Sequence, residues 1–118
     1  MKKIEAIIRP EKLDEVRKAL KDIGYPGMTT VHIEGHGQQK GTVEQFRGRE
    51  FKVEFLPKVK IEIVTEDGDV DRIAKTIIKA ARTGKIGDGK IFIVEVVNTI
   101  RIRTGEEGDK AIGITSDK

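Results

Sequence analysis

The sequence contains no cysteine, which excludes disulfides, thiolate metal sites and cysteine nucleophiles. Its single serine, Ser116, leaves no basis for serine-hydrolase chemistry. Tryptophan is absent, and one tyrosine and four phenylalanines are too few for a platform on which nucleobases stack. No apolar run approaches the roughly 18–20 residues that span a bilayer. The Met1-Lys2-Lys3 opening has no apolar h-region behind it, so neither a membrane span nor a secretory signal is expected, and the composition reads as soluble and cytoplasmic. Asparagine occurs once and glutamine three times against 36% charged residues, a balance that leans toward a heat-adapted source. Neither sign of charge dominates. With 23 basic and 20 acidic side chains the net charge is +3, which permits an anionic partner but is no basic tail, and most charges are expected to solvate the surface. At 118 residues one domain with one core is the default.

What is present is strong hydrophobic periodicity. Residues 2–9 (KKIEAIIR) place Ile4, Ala6 and Ile8 on one face of a strand and Lys3, Glu5, Ile7 and Arg9 on the other. Pro10 suits a first helical turn, and Leu13, Val16, Leu20 and Ile23 follow at helical spacing until Gly24, Pro26 and Gly27 stop the helix. Residues 29–34 (TTVHIE) predict a β-branched strand. Residues 35–55 then carry glycines at 35, 37, 41 and 48 and no core-facing period, which predicts a long functional loop. Residues 58–65 alternate, with Val59, Ile61 and Ile63 inward. Val70, Ile73, Ile77 and Ala81 mark a second amphipathic helix ending near Thr83-Gly84. Residues 91–97 (IFIVEVV) are apolar on both faces, as a central strand would be, and residues 99–103 predict a further short strand. The order is that of an α+β, ferredoxin-like βαββαβ sandwich with a long loop and a C-terminal strand extension. The sheet face away from the helices carries Ile7, Val64 and half of the last strand, which predicts that it is covered by oligomerisation.

Residues 84–90 (GKIGDGK) satisfy G-x-x-x-x-G-K, but Ile91 stands where a P-loop needs Ser or Thr, and the order is helix before and strand after, the reverse of a Walker fold. The physics of the stretch remains: clustered glycines let amides approach an anion and Lys90 can bridge phosphates. A plain helix-to-strand connection explains the same glycines. Residues 35–41 (GHGQQKG) are a second glycine-rich stretch, equally readable as a loop base. Arg101 and Arg103 alternate, so on a strand both forks would suit a polyphosphate, and a solvated edge accounts for them too. His32 and His36 lack a third ligand at usable spacing, and His32 reads as a partly buried filler. Glu106 and Glu107 read as solvated. No nucleophile–base pair emerges, which favours a binding module over an enzyme. Residues 47–55 faintly echo the basic-Gly-aromatic signature of RNA-recognition modules, but those aromatics belong on a central strand, where only Phe92 is offered. No nucleic-acid partner is expected.

Taken together, residues 3–10 (KIEAIIRP), 27–29 (GMT), 46–48 (FRG), 55–62 (FLPKVKIE), 83–90 (TGKIGDGK) and 101–105 (RIRTG) resemble PII signal-transduction proteins of the nitrogen-regulatory GlnB/GlnK family, over residues 1 to about 112. Within it the resemblance points to the ammonium-transporter-associated GlnK branch. It implies one domain over 1–112, with a T-loop at about 37–55, a B-loop at about 82–90 and a C-loop at about 101–109, followed by a polar tail at 113–118. It also implies a homotrimer with the sheet faces at its centre, and ATP or ADP competing for a cleft between subunits. Positions matching the nucleotide site are Ile7, Met28, Thr29, Gly35, Gly37, Gln38, Val64, Gly87, Asp88, Gly89, Lys90, Arg101 and Arg103. Amides of Gly87 and Gly89 with Lys90 would hold phosphates, and Arg101 and Arg103 would reach them across the interface. For 2-oxoglutarate, bound beside Mg-ATP, the matching positions are Gly37, Gln39, Gly41, Lys58 and Gly87. Gln39 would complete the Mg2+ shell and Lys58 would pair the distal carboxylate. Such a ligand moves the long loop only by its difference in affinity between the Mg-ATP and ADP states. Phe51 stands where relatives carry a modified tyrosine, and Arg49 where some carry a serine, so no modification is expected there. Arg47 matches the loop arginine that plugs a transporter vestibule. An ammonium transporter is the target this favours, with glutamine synthetase or a gene regulator open. Recruitment to the inner face of the membrane would then run through the transporter alone. The function implied is a non-enzymatic sensor of nitrogen, carbon and energy state, the alternative being a slow ATPase of the same fold.

Overall fold

A computed structural model describes residues 1–25, 27–46 and 49–113, with the backbone alone for 35–46 and 49–55. The chain runs β1 (Lys2–Ile8), a 3-10 turn (Pro10–Lys12), α1 (Leu13–Asp22), β2 (Thr29–Phe46), β3 (Arg49–Thr65), a second 3-10 turn (Asp67–Asp69), α2 (Val70–Ala81), β4 (Lys90–Glu95) and a one-turn α3 (Asp109–Ile112). The sheet order is β2-β3-β1-β4, and every neighbouring pair is antiparallel. Each helix therefore crosses over one intervening strand, the split βαβ arrangement expected from the sequence.

Period-2 alternation and the 3.6-residue helical period meet in one core. Ile4, Ala6 and Ile8 from β1 and Val59, Ile61 and Ile63 from β3 face Val16 and Leu20 of α1 and Ile73, Ile77 and Ala81 of α2, all buried. Each such branched side chain contributes about 1.5–3 kcal/mol on burial, so this cluster is the main support of the fold. Pro10 opens the turn into α1, and Leu20 and Lys21 carbonyls accept the amides of Ile23 and Gly24 at its end. The Tyr25 hydroxyl donates to Asp69, and Arg72 lies 5.5 Å from the Tyr25 ring, tying the start of α2 to the segment entering β2.

The opposite face of the sheet departs from expectation at its centre. Glu5 and Glu62 stand opposite one another, flanked by Lys3, which lies 2.8 Å from Glu5 and 3.6 Å from Glu62, and by Lys60, 3.5 Å from Glu62. The alternating charges relieve the carboxylate pair. The hydrogen bond between Lys3 and Glu5 is the main cause that raises the Lys3 pKa and lowers that of Glu5. Half-buried Ile7 and Val64 lie on the same face beyond this charged group, and the exposed apolar part lies at the margins, with Val31, Phe92 and Val94.

Three other regions differ from the sequence reading. The strand read as central, residues 91–97, is β4 at the sheet edge and mostly exposed. The stretch expected to be a structureless loop is a two-stranded ribbon: β2 and β3 stay paired from Gly35–Leu56 to Phe46–Arg49, with a register shift between Lys40 and Glu44. A ribbon satisfies its backbone between its own two strands and needs no core-facing side chains, so the hydrophobic period carries no trace of it. The expected strand at 99–103 is reduced to one bridge, Ile100 to Glu107, with residues 102–104 in a turn. Its Ile–Arg alternation has no neighbouring strand to pair with, and Gly105 at φ 76° folds the chain back on itself. His32, expected to be partly buried, is exposed on edge strand β2.

Candidate functional site

The loop between α2 and β4 is the most tightly specified irregular segment among the described residues. Gly84, Gly87 and Gly89 have φ of 87°, 104° and 102°, the left-handed region. At Gly89 glycine is compulsory for a second reason: a Cβ would lie 1.7 Å from the Ile7 carbonyl oxygen. The close approach puts the loop against the end of β1, where Lys90 pairs with Ile7. Asp88 organises the turn. Its carboxylate accepts the Thr83 hydroxyl, the Thr83 amide at 2.9 Å, the Gly84 amide at 2.8 Å and the Arg9 Nε at 3.0 Å. These donors, the Thr83 hydroxyl first, hold the Asp88 carboxyl well below the usual carboxylate range despite its partial burial. Lys58 is buried and donates from Nζ to the Gly87 carbonyl. Arg9 and Lys58 thus brace one glycine loop from β1 and β3, beside a cleft of about 390 Å³ lined by Ile7, Ile8, Ile77, Asp88, Arg82 and Lys90. A glycine-rich rim carrying Lys90 and Arg82 beside an apolar wall can receive an anion with an apolar body.

Of the residues singled out from the sequence, Ile7, Gly87, Asp88, Gly89, Lys90 and Lys58 come together there. Met28, Thr29 and Val64 meet elsewhere, in a depression of about 360 Å³ that also takes in Lys3, Glu62 and Thr99. The strand register separates the two groups: Ile7 pairs with Lys60, and Val64 with Lys3. Four residues of strand amount to about 13 Å. Arg101 and Arg103 follow the far end of β4, where Glu95 pairs with Lys2. Their shared strand face does not exist. Arg101 is folded inward, with Nη1 2.8 Å from Glu106 and Nη2 donating to the carbonyls of Lys110 at 3.0 Å and Gly113 at 3.2 Å, while Arg103 is exposed in the turn. Glu106 and Glu107, expected to be solvated, accept from Arg101 and from Asn98 respectively.

Gly35, Gly37, Gln38, Gln39 and Gly41 lie on β2, with Gly37 opposite Glu54 and Gln39 opposite Lys52, and Phe51 on β3 pairs with Lys40. Their side chains lie outside the described residues, as does Arg47 altogether. Among the described residues no group of three His, Asp or Glu side chains could hold a metal ion, and no helix is long and apolar enough to cross a membrane. The sequence reading missed Arg9 and Thr83 as parts of this site. Arg9 carried a faint signal as the last outward residue before Pro10, but its partner Asp88 lies 79 residues away.

Residues 1–106 match the family described as nitrogen regulatory protein P-II. Nitrogen regulatory protein P-II 1 of Escherichia coli (strain K12) is 61% identical over 112 residues, covering 95% of this chain and 100% of its own. The P-II protein of Pasteurella multocida (strain Pm70) is 58% identical over the same coverage. Among solved structures, Arabidopsis thaliana PII bound to citrate superposes with a TM-score of 0.78 at 42% identity, over 99% of this chain and 94% of that one. The curated relatives are named as regulatory proteins. The chain belongs to the nitrogen regulatory P-II family.

Proposed function

We propose that the protein is a non-enzymatic sensor. It binds ATP and ADP competitively, binds 2-oxoglutarate when Mg-ATP is present, and acts on a target through the β2–β3 ribbon. The observation that carries the reading is the Gly84–Lys90 loop: three left-handed glycines, Gly89 pressed on the Ile7 carbonyl of β1, with Arg9 and Lys58 bonded to the loop and Lys90 at its end. In it Gly87 and Gly89 take phosphates together with Lys90. Lys58, already at the Gly87 carbonyl, turns to the distal carboxylate of 2-oxoglutarate, with Gly37, Gly41 and Gly87 around it. Mg2+ arrives with the ATP phosphates, and Gln39 completes its shell. The citrate on the plant relative supports a family taste for polycarboxylates.

The separation of the two residue groups along the sheet supports a second element of the proposal. One copy supplies the Gly84–Lys90 loop, and a neighbouring copy brings Arg101 and Arg103, so the site closes between subunits of a homotrimer. Exposed Phe92, Val94 and Val31 give the sheet face an apolar margin for that association. The domain spans 1–112, with ligand and target contacts on 37–55, 82–90 and 101–109. The target is an ammonium transporter, contacted through Arg47, which places a cytoplasmic protein at the membrane only through that partner. Glutamine synthetase or a transcription factor is the alternative target, and slow ATP hydrolysis the alternative activity.

Titration calorimetry tests the sensor reading. Heat from 2-oxoglutarate is expected only with Mg-ATP present, and binding without nucleotide would refute the mechanism. A membrane pull-down tests the target: transporter capture with ADP and its loss with Mg-ATP plus 2-oxoglutarate are expected.

A further inference from the structure

The contacts that hold the Gly84–Lys90 loop do a job that nucleotide contact does not cover. A carboxylate has about four acceptor positions, and Asp88 fills them with the Thr83 hydroxyl, two amides and Arg9 Nε. Its side chain therefore has no acceptor left for a ligand donor. Arg9 uses two edges of its guanidinium: Nε goes to Asp88 and Nη2 to the Ile86 carbonyl at 2.9 Å. The planar fork suits this double grip in a way an ammonium would not. Gly87 makes room for it, since a Cβ there would lie 3.2 Å from Arg9 Nη2.

We propose that Arg9, Asp88 and Thr83 form a latch that sets the backbone of 84–89 in its anion-receiving shape before any ligand arrives, with Asp88 a positioning residue and not a nucleotide contact. Glycines lose the most conformational freedom on ordering, so a loop left unlatched would charge that entropy against the ligand's affinity. The latch also joins the loop to β1 and hence to the core, because Arg9 follows Ile8 directly. Its consequence for affinity rests on the nucleotide reading; its geometry does not.

The test uses the full chain without 2-oxoglutarate, and follows hydrogen exchange of amides 84–89 in the ligand-free protein together with ADP binding by calorimetry. Arg9→Gln and Thr83→Val are each expected to speed exchange in that segment and to weaken ADP on the order of tenfold, the scale of one charge-assisted hydrogen bond. Thr83→Ser, which keeps the hydroxyl, is expected to restore both. Adding Arg9→Gln to Asp88→Asn is expected to cost less than Arg9→Gln costs in the unaltered protein, because the Arg9–Asp88 contact is then already gone and only the Ile86 contact remains to be lost. Unchanged exchange in Arg9→Gln, with the same loss of ADP affinity in the Asp88→Asn background, would make Arg9 a direct ligand and overturn the latch. Should the unaltered protein bind no ADP or ATP, the nucleotide reading fails by itself, and the exchange measurements still decide the latch.

Discussion

Two irregular segments flank β4, and both are stapled by an arginine–carboxylate pair. Before β4, Arg9 reaches Asp88 from the end of β1, and Lys58 reaches Gly87 from β3. After β4, the partners are neighbours: Arg101 with Glu106, Asn98 with Glu107, and Arg101 with the carbonyls of Lys110 and Gly113. The first segment is cross-braced to the sheet from two strands. The second is folded on itself, and its guanidinium is already engaged. For Arg101 to reach a phosphate on a neighbouring copy it must release Glu106, which makes that segment the movable half of the proposed site and the Gly84–Lys90 loop the fixed half.

Breaking the fixed half has the largest expected effect. Gly89→Ala places a methyl inside the Ile7 carbonyl and forces an L-residue into the left-handed region. A loss of at least about 3 kcal/mol and of nucleotide binding is expected, read by thermal unfolding and calorimetry. Acid should expose the same loop next. Because the folded pKa of Asp88 is depressed, its contribution is present above the ordinary carboxylate range and is lost as pH falls below about 4 and on through the lower folded value. Asp88→Asn is expected to flatten that acid limb in a plot of Tm against pH; an unchanged slope would show that the carboxylate does not brace the loop.

The movable half should respond more weakly. Glu106→Gln removes one charge from a pair whose carboxylate is well exposed, so stability is expected to change by no more than about 1 kcal/mol in denaturant unfolding. A larger loss would show that the C-terminal segment is braced as firmly as its counterpart. The smallest effect is expected beneath that segment. Thr65 Oγ1 is buried with no hydrogen-bond partner among the described residues, and Thr65 borders a cavity of about 290 Å³ with Asp109, Ile112 and Gly113. Thr65→Val removes the orphaned hydroxyl at nearly constant shape, and a gain of up to about 1 kcal/mol is expected. A loss would show that the hydroxyl has a partner in solution.

The core was legible because burial follows period: the outward–inward alternation of residues 3–9 and 58–64 and the helical spacing from Leu13 and from Val70 place all eleven apolar residues buried among the described ones. The glycine loop was legible as a type, since glycines at 84, 87 and 89 can do what few other residues can. What held it was not. Arg9 and Asp88 are each ordinary in their own sequence neighbourhood, and only the pairing of β1 with β4 sets them side by side. The ribbon was illegible for the opposite reason, because main-chain pairing between two adjacent strands leaves no side-chain period. The alternation at 100–103 misled, because a strand pattern without a partner strand folds onto itself.

The sequence by itself thus determined the family, the order of elements, the core and the chemical character of the anion loop, since each rests on local period or on residue types with few substitutes. Tertiary structure alone decided that Asp88 is saturated by its own chain, that Lys58 and Arg9 clamp the loop from two strands, and that Val64, with Met28 and Thr29, lies four strand residues from the register of Ile7. Those facts depend on register, and register is set by which strands meet in space, which no single stretch of the chain records.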